Sequence, residues 1–123
     1  MADAMLVTIV DDDESVRESV PELVRKFGFR VRAFTSAHEF LASDCVDETK
    51  CLILDVAMPG MSGPDLQREL ASRGQRIPII FLTGQRDPDL RRQLLADGAA
   101  ECLFKPFSAA ALREALNSAL GVI

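Results

Sequence analysis

The chain has 123 residues, 48% of them hydrophobic and 27% charged, with a formal net charge of -5. That length supports one domain, residues 1–123, around a single core, and the acidic balance argues against a nucleic-acid-binding surface. No apolar run is long enough to cross a bilayer, and Met1-Ala2-Asp3-Ala4 lacks the basic start of a secretory signal, so a cytoplasmic, membrane-free protein is expected. The cysteines Cys45, Cys51 and Cys102 form no C-x-x-C pair and are expected to be reduced, buried thiols.

The first element is an apolar run at 5–10, expected as a strand, which ends in Asp11-Asp12-Asp13. A helix over 14–27 follows, with Val16, Val20, Leu23, Val24 and Phe27 on one face. Pro21 lies inside it, where a missing N–H is expected to kink the helix, and Gly28 stops it. A strand at 30–34 leads to a short helix at 36–43, capped by Thr35 or Ser36, with Phe40 and Leu41 inward. The run at 51–55 is a third strand and ends in Asp55, before the turn-rich Val56-Ala57-Met58-Pro59-Gly60-Met61-Ser62-Gly63. A helix over 64–73 buries Leu66 and Leu70; a strand at 78–82 then ends in Thr83-Gly84. The fourth helix, 87–97, buries Leu90, Leu94 and Leu95. The last strand, 101–104, ends in Lys105-Pro106-Phe107, and a helix over 109–120 follows Ser108.

Five strands alternating with five helices make an α/β protein. Apolar runs without alternation are those of parallel strands covered on both faces. A chain this short cannot close a barrel, so an open five-stranded parallel sheet in the order 2-1-3-4-5 is expected, with helices on both faces. In that topology a ligand crevice opens beyond the C-terminal ends of the first and third strands. These are the strands that end in Asp11-Asp12-Asp13 and Asp55.

A lone carboxylate at the end of a buried strand serves chemistry better than packing. Three such groups about 6 Å apart repel by roughly 3 kcal/mol per pair at an effective dielectric near 20, so a cation, a raised pKa or solvent must offset them. Hard oxygen donors with room for water suit Mg²⁺. A less specific role for Asp12 and Asp13 is to favour the N-terminus of the first helix through its dipole. Thr83 and Lys105, at the ends of the last two strands, bring a hydroxyl and an ammonium to the same crevice. An acid could then act as nucleophile while they hold phosphoryl oxygens.

The segments Val10-Asp11-Asp12-Asp13, Leu54-Asp55 with its following turn, Leu82-Thr83-Gly84 and Lys105-Pro106-Phe107, in this order, resemble a receiver domain of a two-component response regulator. The chain is similar to CheY-like, flavodoxin-like receivers over essentially its whole length, and most similar to the FixJ and NarL-type branches. The resemblance implies that Asp55 accepts a phosphoryl group from a histidine kinase or phosphotransfer protein. It implies Mg²⁺ (or Mn²⁺) held by Asp12, Asp55 and the backbone carbonyl of Ala57, with Asp11 acting through water. It further implies that Thr83 moves toward the phosphoryl group, that Lys105 pairs with it, and that the bond before Pro106 is cis. Partner affinity, including that of a possible homodimer, would change on the face of the fourth helix, fifth strand and fifth helix. The domain would be a signalling element, not an enzyme, with self-phosphorylation and slow self-dephosphorylation.

The sequence departs from the family pattern at Cys102. Three residues before the lysine the family carries Tyr or Phe, so the aromatic half of the switch is missing. Neither Phe81 nor Phe104 substitutes obviously by alternation. Ala57 and Gln85 flank the route of the hydrolytic water in relatives; Ala57 cannot orient it. His38 is expected at the surface.

Other functions fit less well. A haloacid-dehalogenase-type phosphatase needs a second Asp two residues after the nucleophile, where this chain has Ala57. A nucleotide- or flavin-binding site lacks its glycine-rich loop after the first strand. A phosphorylation-independent, receiver-like interaction module is favoured only by Cys102. Gly121-Val122-Ile123 could open a linker, and leaves open a single-domain regulator or the receiver part of a longer one.

Overall fold

A computed structural model describes residues 4–121; the remaining N-terminal residues and the linker reading at Val122-Ile123 lie outside the described residues. The strands are β1 (Leu6–Val10), β2 (Arg30–Phe34), β3 (Thr49–Asp55), β4 (Ile79–Thr83) and β5 (Glu101–Phe104). The helices are α1 (Glu14–Lys26), α2 (Ala37–Ala42), α3 (Gly63–Ser72), α4 (Pro88–Ala96) and α5 (Ala109–Leu120). All strand pairs are parallel, in the order β2-β1-β3-β4-β5. This is the expected topology.

Two cores explain the unbroken apolar runs. Leu6, Val10, Leu52, Leu54, Ile79, Phe81 and Cys102 face Phe40, Leu66, Leu70 and Leu94 on one side of the sheet. On the other side Val7, Ile9, Cys51, Ile53, Ile80 and Leu82 face Val16, Val20, Val24, Leu112, Ala115 and Leu116. Alternate residues of β1, β3 and β4 therefore enter opposite cores, while the edge strand β2 exposes Arg30 and Arg32. Each fully buried aliphatic side chain contributes about 1.5–3 kcal/mol.

Local signals fix the ends. Ser36, not Thr35, caps α2, and Ser62 and Asp65 form a reciprocal capping box at α3. Asp13 caps α1 through the Ser15 backbone N–H, and α1 runs unbroken through Pro21, whose ring is buried. Leu23 and Phe27 are only partly buried against the core, as are Leu41, Leu90 and Leu95. At its N-terminal end β3 begins at Thr49, two residues earlier than expected. The β1–β3 register slips between Leu6 and Val7, so Leu6 pairs with Thr49 and Val7 with Cys51, and Lys50 is exposed. The buried Thr49 hydroxyl bonds Thr8 Oγ1 at 2.7 Å and donates to the Cys45 carbonyl at 2.8 Å. β4 is shifted by one, running through Thr83, whose carbonyl accepts from the Lys105 N–H at 2.8 Å. Cys45, Cys51 and Cys102 are all free and buried; burial pushes the Cys51 thiol up to about 12.

Candidate functional site

The β1–β3 register pairs Val10 with Leu54, so the next residues, Asp11 and Asp55, stand side by side at the C-terminal ends of their strands. β1 lies between β2 and β3, and this is where the strand order reverses. Asp11 is fully buried. Its backbone N–H donates to the Phe34 carbonyl at 3.2 Å, its Oδ1 accepts from the Asp13 N–H at 2.9 Å, and its carbonyl accepts from Arg17 Nη1 at 3.0 Å. The backbone and carboxylate are thereby fixed from three directions. Asp55 is 7% exposed and Asp12 is exposed. One carboxylate oxygen from each of Asp11, Asp12 and Asp55 lies within 4.8 Å of the others.

Lys105 reaches this cluster from the end of β5. Its Nζ is 3.2 Å from Asp11 Oδ2 and 3.7 Å from Asp55 Oδ1. Burial alone would lower the Lys105 pKa, but the Asp11 and Asp55 carboxylates outweigh it and hold the ammonium above its usual range. Asp55 responds in the opposite sense. Burial first, and then the charge of Asp11, push its carboxyl up to about 7 against the pull of Lys105. Asp13 is held below the usual carboxylate range by its hydrogen bonds from the Ser15 side chain and backbone.

One ammonium does not satisfy this site. The Lys105–Asp11 approach is an ion pair outside hydrogen-bond geometry, so Asp11 Oδ2 is a buried oxygen without a hydrogen-bond partner. Three oxygen donors in close array, one of them orphaned, fit a hard divalent cation. Ala57 is exposed two residues beyond Asp55.

Thr83 closes the other side of the crevice. It is 3% exposed, and its Oγ1 accepts from the Gln85 N–H at 3.0 Å. Thr83 and Phe104 are register partners, which places Lys105 directly after the neighbour of Thr83. The Lys105–Pro106 bond is cis. Gln85 is exposed. The structure thus gathers Asp11, Asp12, Asp55, Thr83 and Lys105 at the C-terminal ends of four adjacent strands.

Cys102 is 3% exposed and packs in the core between the sheet and α4; its thiol pKa is raised by burial. Two further features had no signal strong enough in the sequence. Gly63 donates its N–H to the Val56 carbonyl at 2.9 Å, and a Cβ there would meet the Asp55 carbonyl, Phe81 Cε1 at 2.9 Å and Val56 Cα at 3.1 Å. Only glycine lets α3 start this close to the acid-bearing strand. Arg91 reaches from α4 to Glu101 Oε1 at 2.7 Å and to the Cys102 carbonyl at 3.4 Å. Such contacts between distant residues have no local pattern.

The profile of the response regulator receiver domain matches residues 7–117. The chain belongs to that family. Nodulation protein W of Bradyrhizobium diazoefficiens is 45% identical over 114 residues, covering 93% of this chain and 50% of that protein. The transcriptional regulatory protein FixJ of Azorhizobium caulinodans is 39% identical over 121 residues, covering 98% of this chain and 57% of its own length. The chain spans about half the length of the curated relatives it matches. Among solved structures, FixJ-N superposes with a TM-score of 0.85 at 34% identity, covering 100% of this chain and 98% of its own. Vibrio cholerae CheY4 gives 0.85 at 30% identity, covering 97% and 100%. Membership makes this receiver an element of phosphorylation-based, two-component signalling. No helix among the described residues is long and apolar enough to cross a membrane.

Proposed function

We propose that Asp55 is the phosphoacceptor of this receiver. The observation that carries this is the position of its nearly buried carboxylate, one residue beyond the Val10–Leu54 register pair and 3.7 Å from the Lys105 ammonium. A donor phosphohistidine of a histidine kinase or phosphotransfer protein would present its phosphorus to an Asp55 oxygen. An O–P bond forms, the N–P bond breaks, and the electron pair returns to the imidazole, which takes up a proton. The ionised carboxylate is the attacking form. Lys105 would orient the new phosphoryl oxygens, and Thr83 would exchange its Gln85 N–H partner for one of them. Asp11, Asp12, Asp55 and the Ala57 carbonyl would hold Mg²⁺ or Mn²⁺, which when bound neutralises charge on the phosphoryl oxygens.

Several finer readings rest on the same site. Residues 1–123 form one receiver unit that works in the cytoplasm. Self-phosphorylation from a small acyl phosphate and slow self-dephosphorylation follow from an acceptor that needs no residue of its donor. A groove of about 420 Å³ beside Lys105, walled by Val16, Val20, Leu23, Pro106 and Phe107, gives the donor protein an apolar place to dock. The signal then leaves through α4, β5 and α5, where a second copy of the receiver can dock, and the domain needs no nucleic-acid contact of its own. A phosphorylation-independent interaction module is the second reading, favoured by Cys102 alone.

Intact mass after incubation with acetyl phosphate and Mg²⁺ tests the first reading. One phosphoryl group should add to wild type, and none to Asp55→Asn or to a chelated control. No addition to wild type, together with failure to bind beryllofluoride, would favour the second.

A further inference from the structure

The site raises a question that position 102 cannot answer: what responds when the Thr83 hydroxyl moves. The side chain there is a small thiol buried in the core, with no ring to rotate. The residues around it offer another route. The Thr83 hydroxyl ties the following turn by accepting from the Gln85 N–H at 3.0 Å. The next residue, Arg86, places its guanidinium carbon 5.8 Å from the centroid of the Phe104 ring, within range of a cation–π contact. Phe104 is the register partner of Thr83 and immediately precedes Lys105. Phe104 is half-buried. A little further on, Arg91 holds Glu101 Oε1 at 2.7 Å and the Cys102 carbonyl at 3.4 Å. The segment after Thr83 is therefore pinned to β5 on both sides of position 102.

We propose that Arg86 is a positioning residue whose stacking on Phe104 holds the unphosphorylated arrangement, and that Phe104 takes the reporting role a ring at position 102 would otherwise have. This rests on the reading of Thr83 as the phosphoryl sensor. When the Thr83 hydroxyl turns toward a phosphoryl oxygen, the Gln85 N–H loses its acceptor and the turn must re-form. Arg86 then leaves the ring, and the Arg91 grip on β5 is free to adjust. A contact made in only one of two states biases their equilibrium. By linkage, its loss must tighten whatever binds the other state. An exposed cation–π contact of ordinary strength corresponds to about a two- to fivefold change in that equilibrium.

The test uses beryllofluoride with Mg²⁺ as the phosphoryl mimic, read by ¹⁹F resonances for binding and by backbone amide and Phe ring resonances for the switch. Arg86→Ala should bind the mimic about two- to fivefold more tightly than wild type. Its amides in α4 and β5 should already be displaced toward the bound positions before the mimic is added. Removing a cation near an anionic probe would by itself weaken binding, so tightening separates the stack from simple electrostatics. Phe104→Leu changes no charge and should tighten binding to the same degree. The double variant should add nothing further, and Arg86→Lys should behave as wild type. Unchanged or weaker binding in both single variants, with α4 and β5 amides at their wild-type positions, would overturn the proposal while leaving Asp55 as acceptor intact. Failure of wild type to bind the mimic would overturn the acceptor reading, and this inference with it.

Discussion

Replacing Asp55 with asparagine should stabilise the metal-free protein, and should do so in a pH-dependent way. Carboxylate oxygens within 4.8 Å repel by about 3.5 kcal/mol per pair at an effective dielectric near 20, and Lys105 at 3.7 Å from Asp55 returns about 4.5 kcal/mol. Asp55 faces both Asp11 and Asp12, so its charge carries a net repulsion of about 2.5 kcal/mol on this scale. Water at the open mouth of the crevice, where Asp12 is exposed, reduces that to about 1–2 kcal/mol. The folded carboxyl titrates near 7 against an ordinary 3.8. Between those values the unfolded chain has released a proton that the folded chain keeps, so stability falls as pH rises through that window. Below 3.8 both forms are protonated and the penalty vanishes. Asp55→Asn should therefore raise the urea-unfolding free energy by about 1–2 kcal/mol at pH 8 in chelator, and Tm by about 3–8 °C. At pH 5 the gain should shrink to about a third. A gain equal at both pH values, or a loss at pH 8, would refute the reasoning.

Further outcomes follow from the same geometry. Gly63→Ala should cost about 1–3 kcal/mol in urea unfolding, because its Cβ meets backbone and the Phe81 ring and not a flexible side-chain end; a neutral result would mean that α3 can shift freely. Millimolar Mg²⁺ should raise Tm of wild type at pH 8, and the rise should disappear in Asp11→Ala, because a ligand held only by the folded form would stabilise it. Cys51, with its thiol near 12, should resist a disulfide reagent at pH 8 in the native state and react fully in urea, as followed by thiol release and peptide mapping.

The topology was legible because the apolar runs are so complete. Val7, Ile9, Ile53 and Ile80 belong to one core, and Val10, Leu54 and Phe81 to the other, so β1, β3 and β4 need apolar residues at successive positions. The acids, Thr83 and Lys105 were legible because each follows such a run, where a charge or hydroxyl serves no packing purpose. What stayed hidden depends on pairs far apart in sequence. The start of β3 is hidden in the sequence because Thr49 and Lys50 look polar, although the Thr49 hydroxyl is consumed by Thr8 and the Cys45 carbonyl. Gly63 reads as an ordinary turn glycine until Asp55, Val56 and Phe81 are placed against it. Alternation gave Phe104 no role in the switch. Its contact with Arg86 exists only because the turn after Thr83 folds over β5.

The most direct measurement locates the phosphoryl group itself. Wild-type protein treated with acetyl phosphate and Mg²⁺ is reduced with borohydride, which converts an aspartyl phosphate to homoserine, and is then digested and sequenced by mass spectrometry. Homoserine at position 55, at no other acid and not without Mg²⁺, is the predicted result. Homoserine at Asp11 or Asp12 in place of Asp55, or none at any position in protein that has gained a phosphoryl group, would contradict the account.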